Sequence, residues 1–234
     1  MKLSRVVLAK EGKEAILQGM IHVESKKLYE YLQKDIEWAE DNQYVFFYET
    51  VQGSYPEVFA NKNQEQIKAF FVFISEFLPI LANSFGMVLQ KNAVVYPEDA
   101  INADITMSEL IKELDTNGFT CRFIVKLLSL IPKDTLKEAL DKEFGEDISL
   151  NEFIDKSQKK SWASWFADFL LRKADPVILD YRNKVAVKSI IEYGNNQNIF
   201  VHYGDGHIKG LTSLLEKEGW VVKEISYLEL SKFE

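Results

Sequence analysis

The stretch AILQGMIHVESKKLYEYLQKDIEWAEDNQYVFFYE, residues 15–49, decides how the fold is read. It opens on an apolar run, Ala15 to Ile21, that leads into His22. Ser25 then stands where a helix needs an N-cap, and Leu28, Tyr29, Leu32, Ile36 and Trp38 to Ala39 follow as an apolar stripe that ends near Glu40. Asp41-Asn42 breaks that spacing, and Tyr44-Val45-Phe46-Phe47-Tyr48 is a β-rich run that ends at Glu49. Strand, helix and strand in this order make a βαβ unit, whose two strands are expected to be parallel and joined by a right-handed crossover.

Outward from this unit, Arg5 to Ala9 pairs with Ala15 to Ile21 across the polar insert Lys10 to Glu14. Near the other end, Ile199 to Tyr203 reads as a strand, Gly204 to Gly210 as a glycine-rich turn and Leu211 to Lys217 as a short helix stopped by Gly219. Trp220 to Ile225 is a last strand, so a second βαβ unit mirrors the first. Between them the spacing predicts a helix from Asn63 to about Gly86, broken or kinked near Pro79, and a short strand at Ala93 to Tyr96. Thr106-Met107-Ser108-Glu109 is a capping box, and Phe119 to Arg172 is mainly helical with interruptions at Pro132 and around Gly145 to Ser149. A further helix runs from about Tyr181 to Tyr193 and ends at Gly194. The expected fold is α/β: a central mixed or mostly parallel sheet flanked by helices, in a single domain over residues 1–234, with a helical insertion, subdomain or lid over 105–175.

With 47% hydrophobic residues among 234, the chain can bury a full core. Its 28 basic and 36 acidic residues leave a net charge of −8, which works against nucleic acid or an acidic membrane as partner. Cys121 is the only cysteine, which excludes an internal disulfide or a cysteine metal cluster and suits a small buried residue. Met1 to Val7 lacks the basic start and apolar core of a secretory leader, so a cytoplasmic location is expected. Phe70 to Leu89 is apolar, but Glu76, Pro79, Asn83 and Gly86 interrupt it, favouring a buried helix and turn over a membrane span.

Glycine, two residues, then histidine occurs as Gly19-Met20-Ile21-His22 and again as Gly204-Asp205-Gly206-His207, each at the end of an expected strand. These are two of the three histidines in the chain. Side chains just beyond the carboxyl ends of parallel strands line the crevice where α/β proteins bind ligands, and Glu49 is at the same kind of position. Two imidazoles and a carboxylate can hold a divalent transition ion, so His22, Glu49 and His207 form a candidate metal set for manganese, cobalt or zinc. Arg182 lies in the first turn of a helix, where the dipole disfavours a cation; it could bind a substrate carboxylate or an oxyanion, pair with Glu49, or bridge locally to Asp180. Asn183 joins Glu49 and Arg182 as a catalytic candidate, Asp104 and Asp205 are orienting candidates, and Gly19, Gly204 and Gly206 form the turns. His202 lies within a strand and suits a packed or surface role. Trp162, Trp165, Phe166, Phe169 and Leu170 form an aromatic helical stripe, read first as packing and otherwise as a membrane or ligand contact.

Five phrases in order, GMIHVESKKLYEYL, YET, INADITMSEL, LDYRNKVAVKSI and VHYGDGHIKGLTSLLEKEGW, resemble the TraB/PrgY/GumN family of the Tiki, erythromycin-esterase and ChaN-like superfamily. Asp180-Tyr181 stands where the family more often has an acidic residue directly before the arginine. The resemblance implies an α/β fold with two halves around a cleft, and a site built on His22, Glu49, Arg182 and His207. Among relatives, Tiki-like members are metal-dependent proteases, erythromycin-esterase-like ones hydrolyse a lactone without that metal chemistry, PrgY-like ones limit a peptide pheromone and ChaN-like ones bind haem. The expected function is a metal-dependent hydrolase of peptidase type, acting on a peptide or small molecule with metal-activated water. The alternatives are a non-catalytic protein binding a peptide, haem or small ligand, and a metal-free esterase-like hydrolase with His22 or Glu49 as base.

Overall fold

A computed structural model describes residues 2–117, 177–194 and 196–233. The chain divides into two compact units, one of Met1–Ser54, Val88–Met107 and Leu179–Glu234, the other of Tyr55–Met87 and Ser108–Ile178.

The first unit is a mixed six-stranded sheet between helices. Strands β1 (Lys2–Lys10) and β2 (Lys13–Met20) form an antiparallel hairpin whose turn places Glu11 and Gly12 at positive φ. After β2 come a two-residue strand β3 (Val23–Glu24), helix α1 (Lys26–Asp41) and β4 (Val45–Tyr48). Ser25 caps α1 through its hydroxyl. The last part of the chain supplies helix α5 (Arg182–Tyr193), entered through a π-turn (Val177–Tyr181), then β7 (Ile199–Gly204), α6 (Asp205–Lys217) and β8 (Val221–Glu229). With β5 (Val88–Leu89), the helical turn α3 (Gln90–Ala93) and β6 (Ile101–Asn102), the large sheet has the order β6-β4-β7-β2-β1-β8. Only β1 runs against the rest.

The strands of the first βαβ unit are parallel as expected, but they are not neighbours. β7, from the far end of the sequence, is inserted between β2 and β4 and pairs in parallel with both. Alternation then sorts the apolar side chains into two layers. Ile16, Phe46 and Phe200 pack against Leu28, Tyr29, Leu32, Ile36 and Ala39 of α1. Leu17, Phe47, Val201 and Tyr203 pack on the opposite face against Ala186, Val187 and Ile190 of α5 and Ile208, Leu211 and Leu215 of α6. The chain leaves β2 toward β4 over one face and leaves β7 toward β8 over the other, in opposite directions along the sheet, as a single crossover handedness requires. The adjacent carboxyl ends of β2 and β7 are therefore the topological switch point, the usual ligand crevice of such sheets.

Two local expectations are corrected. Gly204 to Gly210 is not a turn: β7 passes directly into α6 at Asp205, so Gly206, His207 and Gly210 lie on the helix. Ala93 to Tyr96 is not a strand, because the pairing with β3 falls earlier, at Val88 and Leu89, and a helical turn follows.

In the second unit the described elements are helix α2 (Lys62–Ser84), which continues through Pro79, and α4, which runs from Met107 to Asn117, its Met107 belonging to the first unit. Asn61 and Gln64 donate to Asp115 within this unit. The helical stretch expected between 119 and 172, Cys121 and the aromatic stripe at 162–170 lie outside the described residues, as does most of the expected 105–175 insertion. Among the described residues no helix is long and apolar enough to cross a membrane.

Candidate functional site at the switch point

On the α5–α6 face, β4 ends at Tyr48 and delivers Glu49 to the start of α6. One carboxylate oxygen, Oε2, accepts the Gly204 N–H at 2.5 Å, and the other, Oε1, accepts from Nη2 of Arg182 at 2.5 Å. A Cβ on Gly204 would stand 3.0 Å from Oε2, so glycine here permits the carboxylate's approach. Arg182 also donates to Asp104 through Nε at 2.9 Å and Nη2 at 2.5 Å, a two-pronged contact that a lysine could not make. Of the roles open to Arg182 in the sequence, the geometry is that of pairing with Glu49, and Asp104 orients this arginine. The cluster is buried, with Glu49 6%, Asp104 4% and Arg182 8% exposed, and it carries two negative charges against one positive.

His207 completes the group from the first turn of α6. Its Nδ1 lies 2.8 Å from Oδ1 of Asn183, and its Nε2 is 3.5 Å from Oε1 of Glu49. The amide carbonyl accepts the Nδ1 proton, which leaves the lone pair of neutral His207 on Nε2, facing a carboxylate oxygen. Tyr203 packs edge-on against the ring and donates its hydroxyl to the carbonyl of Ala103. Asn183 reaches His207 because α5 and α6 touch at Gly210, where a Cβ would collide with the Asn183 amide. Asp205, by contrast, accepts the Ser4 N–H at 2.6 Å and lies against Gly19, so it ties β1 to α6.

The electrostatics follow from this packing. Burial by itself pushes the Glu49 carboxyl up, but Arg182, the two histidines and the Gly204 N–H outweigh it and hold the group at about 2. Burial pushes His207 below the ordinary histidine value against the pull of Glu49. Arg182 is raised, because its two carboxylates outweigh its burial.

His22 is exposed, two residues past the end of β2, and it reaches the site differently from its sequence counterpart. A two-residue strand separates it from α1, whereas His207 is on its helix. Its Nδ1 bonds Oε1 of Gln90 at 3.0 Å, and its carbonyl accepts the Gln90 backbone N–H at 2.9 Å. It is nonetheless near enough to contribute to the shifts of both Glu49 and His207. Among the described residues, no three or more His, Cys, Asp or Glu side chains stand close enough together to hold a metal ion.

Two participants on the α1 face, Gln90 and Tyr96, were not picked out by sequence reading. Gln90 donates to the Tyr96 hydroxyl at 2.9 Å, and that hydroxyl lies 3.3 Å from Nδ1 of His202, which is fully buried. Gln90 carries no signal of its own, since only the pairing of β5 with β3 brings it to His22. His202 has the packed position expected of it, against Phe46 and Tyr96. No family model, curated protein or solved structure matches the chain.

Proposed function

We propose that the switch-point cluster is the centre of a metal-dependent hydrolase of peptidase type, related to the TraB/PrgY/GumN family that the sequence resembles. The observation that carries this reading is the pair of lone-pair atoms, His207 Nε2 and Glu49 Oε1, facing each other at 3.5 Å in a buried cluster of net negative charge. Two acceptors so placed repel unless a proton or cation lies between them, and imidazole with carboxylate suits manganese, cobalt or zinc. His207 and Glu49 would hold the ion, with His22 reaching it from the exposed side. A bound ion would lower the pKa of its water and polarise the scissile carbonyl. Arg182, itself held by Asp104, fixes Glu49 in place and keeps it ionised, while Asn183 keeps the lone pair of His207 on Nε2. Purified metal-free protein should give cobalt d–d absorption on titration, lost in His207→Ala and Glu49→Gln, and should cleave a peptide library with one of the three ions. No binding and no turnover with any of them would remove this reading.

One observation favours a metal-free alternative. Both Glu49 oxygens already hold strong donors, and His22 stands apart from them with an exposed ring that could serve as general base on water. Full activity in excess chelator, abolished by His22→Ala, would select it.

A further inference from the structure

On the α1 face, four side chains form one unbroken chain of hydrogen bonds from the surface into the core. The His22 ring meets Gln90 at 3.0 Å, Gln90 meets Tyr96 at 2.9 Å, and Tyr96 meets His202 at 3.3 Å. Each link holds one proton, and besides Nδ1 of His202 the Tyr96 hydroxyl has only the weak acceptor Sδ of Met20, at 4.0 Å, among the described residues. The Gln90 amide presents its oxygen to His22 and its nitrogen to Tyr96. His22 then donates from Nδ1, and Tyr96, accepting from Gln90, donates to Nδ1 of His202. We infer that Gln90, Tyr96 and His202 are positioning residues that lock His22 into the tautomer with its proton on Nδ1 and its lone pair on Nε2.

Several features make this chain a device rather than a chance contact. Gln90 grips His22 twice, through the ring and through the backbone carbonyl, next to the pairing of β3 with β5. Tyr96 is clamped by stacking on Tyr48 at 4.5 Å between ring centres. His202 is the anchor: among the described residues its buried Nε2 has no hydrogen-bond partner, which is costly. Burial keeps that ring neutral, with its pKa pushed down to about 4, so it can accept from Tyr96 on Nδ1. The result resembles what Asn183 does for His207: both switch-point histidines have Nδ1 held by a side-chain amide oxygen and Nε2 left as acceptor. An acceptor nitrogen is what a general base or a metal ligand requires, so the inference deepens the proposed function and rests on that reading for its purpose, though not for its test.

The test is long-range ¹H–¹⁵N correlation spectroscopy of the uniformly labelled full chain at pH 8, without ion or substrate, with the histidine signals assigned by single substitution. The expected result is a pyrrole-type Nδ1 and pyridine-type Nε2 for His22, and the reverse for His202. Gln90→Leu should return His22 to the Nε2–H form that free imidazole prefers, and Tyr96→Phe should leave it a mixture, both with unchanged backbone amide spectra elsewhere. An Nε2–H His22 in the unsubstituted protein, or a His22 tautomer indifferent to both variants, would overturn the inference. Because the tautomers are read without turnover, a protein inactive on every substrate would still decide the matter.

Discussion

The two faces of the sheet solve the same problem with opposite chemistry. On the α5–α6 face, Glu49, Arg182 and Asp104 are held together by charge-assisted bonds, and Glu49 faces His207. On the α1 face, Gln90, Tyr96 and His202 are uncharged, form a single file of neutral hydrogen bonds, and hold His22. A strand end can thus fix a histidine either by setting it against a rigid ionic frame or by feeding it one directed chain. The first tolerates no missing member, because a lone buried charge is far costlier than a lone neutral group.

Breaking the charged face should therefore have the largest effect. Arg182→Met leaves two buried carboxylates without their cation, and a loss of about 3–5 kcal/mol is expected in urea denaturation. Replacing Arg182, Glu49 and Asp104 together by apolar residues should recover most of that loss, since no charge is then left alone. If the triple variant is as unstable as the single one, the cluster's cost is packing and the contrast between the faces fails.

The next effect separates the faces by pH. His202 has its pKa lowered from 6.5 to about 4, so the folded state binds its proton less readily than the unfolded state. Its contribution is fully present above about pH 6.5 and is lost as pH falls toward 4, about 3 kcal/mol in all. His207, also lowered, adds to the same slope. Glu49, lowered from 4.5 to about 2, loses its contribution only in that more acid window. Stability measured between pH 7 and pH 4 should thus fall less steeply in His202→Phe than in the unsubstituted protein; an identical slope would mean that the neutral face is not neutral.

How much of this was legible beforehand differs between the faces for the same physical reason. His22 and Glu49 lie just past strand ends and His207 in the first turn of the helix that β7 enters, and strand ends are visible as the places where β-rich apolar runs stop. The α/β class was visible for the same reason: alternation and helical spacing at residues 15–49 and 199–225 leave few other folds. What could not be read was β7 lying between β2 and β4, because strand order depends on which long-range pairing buries most surface. Gln90 and Tyr96 were likewise hidden: they lie in short irregular segments placed by the two-residue pairing of β3 with β5. The glycines were misread as a turn since Gly206 and Gly210 weaken helix propensity, a cost that close packing of α5 on α6 at Gly210 outweighs.

That packing can be probed directly. In a helix interior, Gly→Ala ordinarily stabilises by roughly 1 kcal/mol. At Gly210 the added methyl would collide with the Asn183 amide that holds His207, so Gly210→Ala should destabilise by about 1–3 kcal/mol. A stabilised variant would show that α5 and α6 are not in tight contact there, and that Asn183 is free to release His207.

The smallest effect compares the two helix starts behind the two histidines. Helix α1 is capped locally, by the Ser25 hydroxyl accepting the Leu28 N–H at 3.4 Å. Helix α6 has no capping side chain at Gly204, and Glu49 faces its start from across the sequence. Ser25→Ala should accordingly cost only about 0.5–1 kcal/mol, as one long capping bond is lost. Gln90, rather than the cap, holds His22, so the tautomer of His22 should not change in this variant. A shift in its ring nitrogens would show that the start of α1, and not the hydrogen-bonded file behind it, sets the orientation of the exposed histidine.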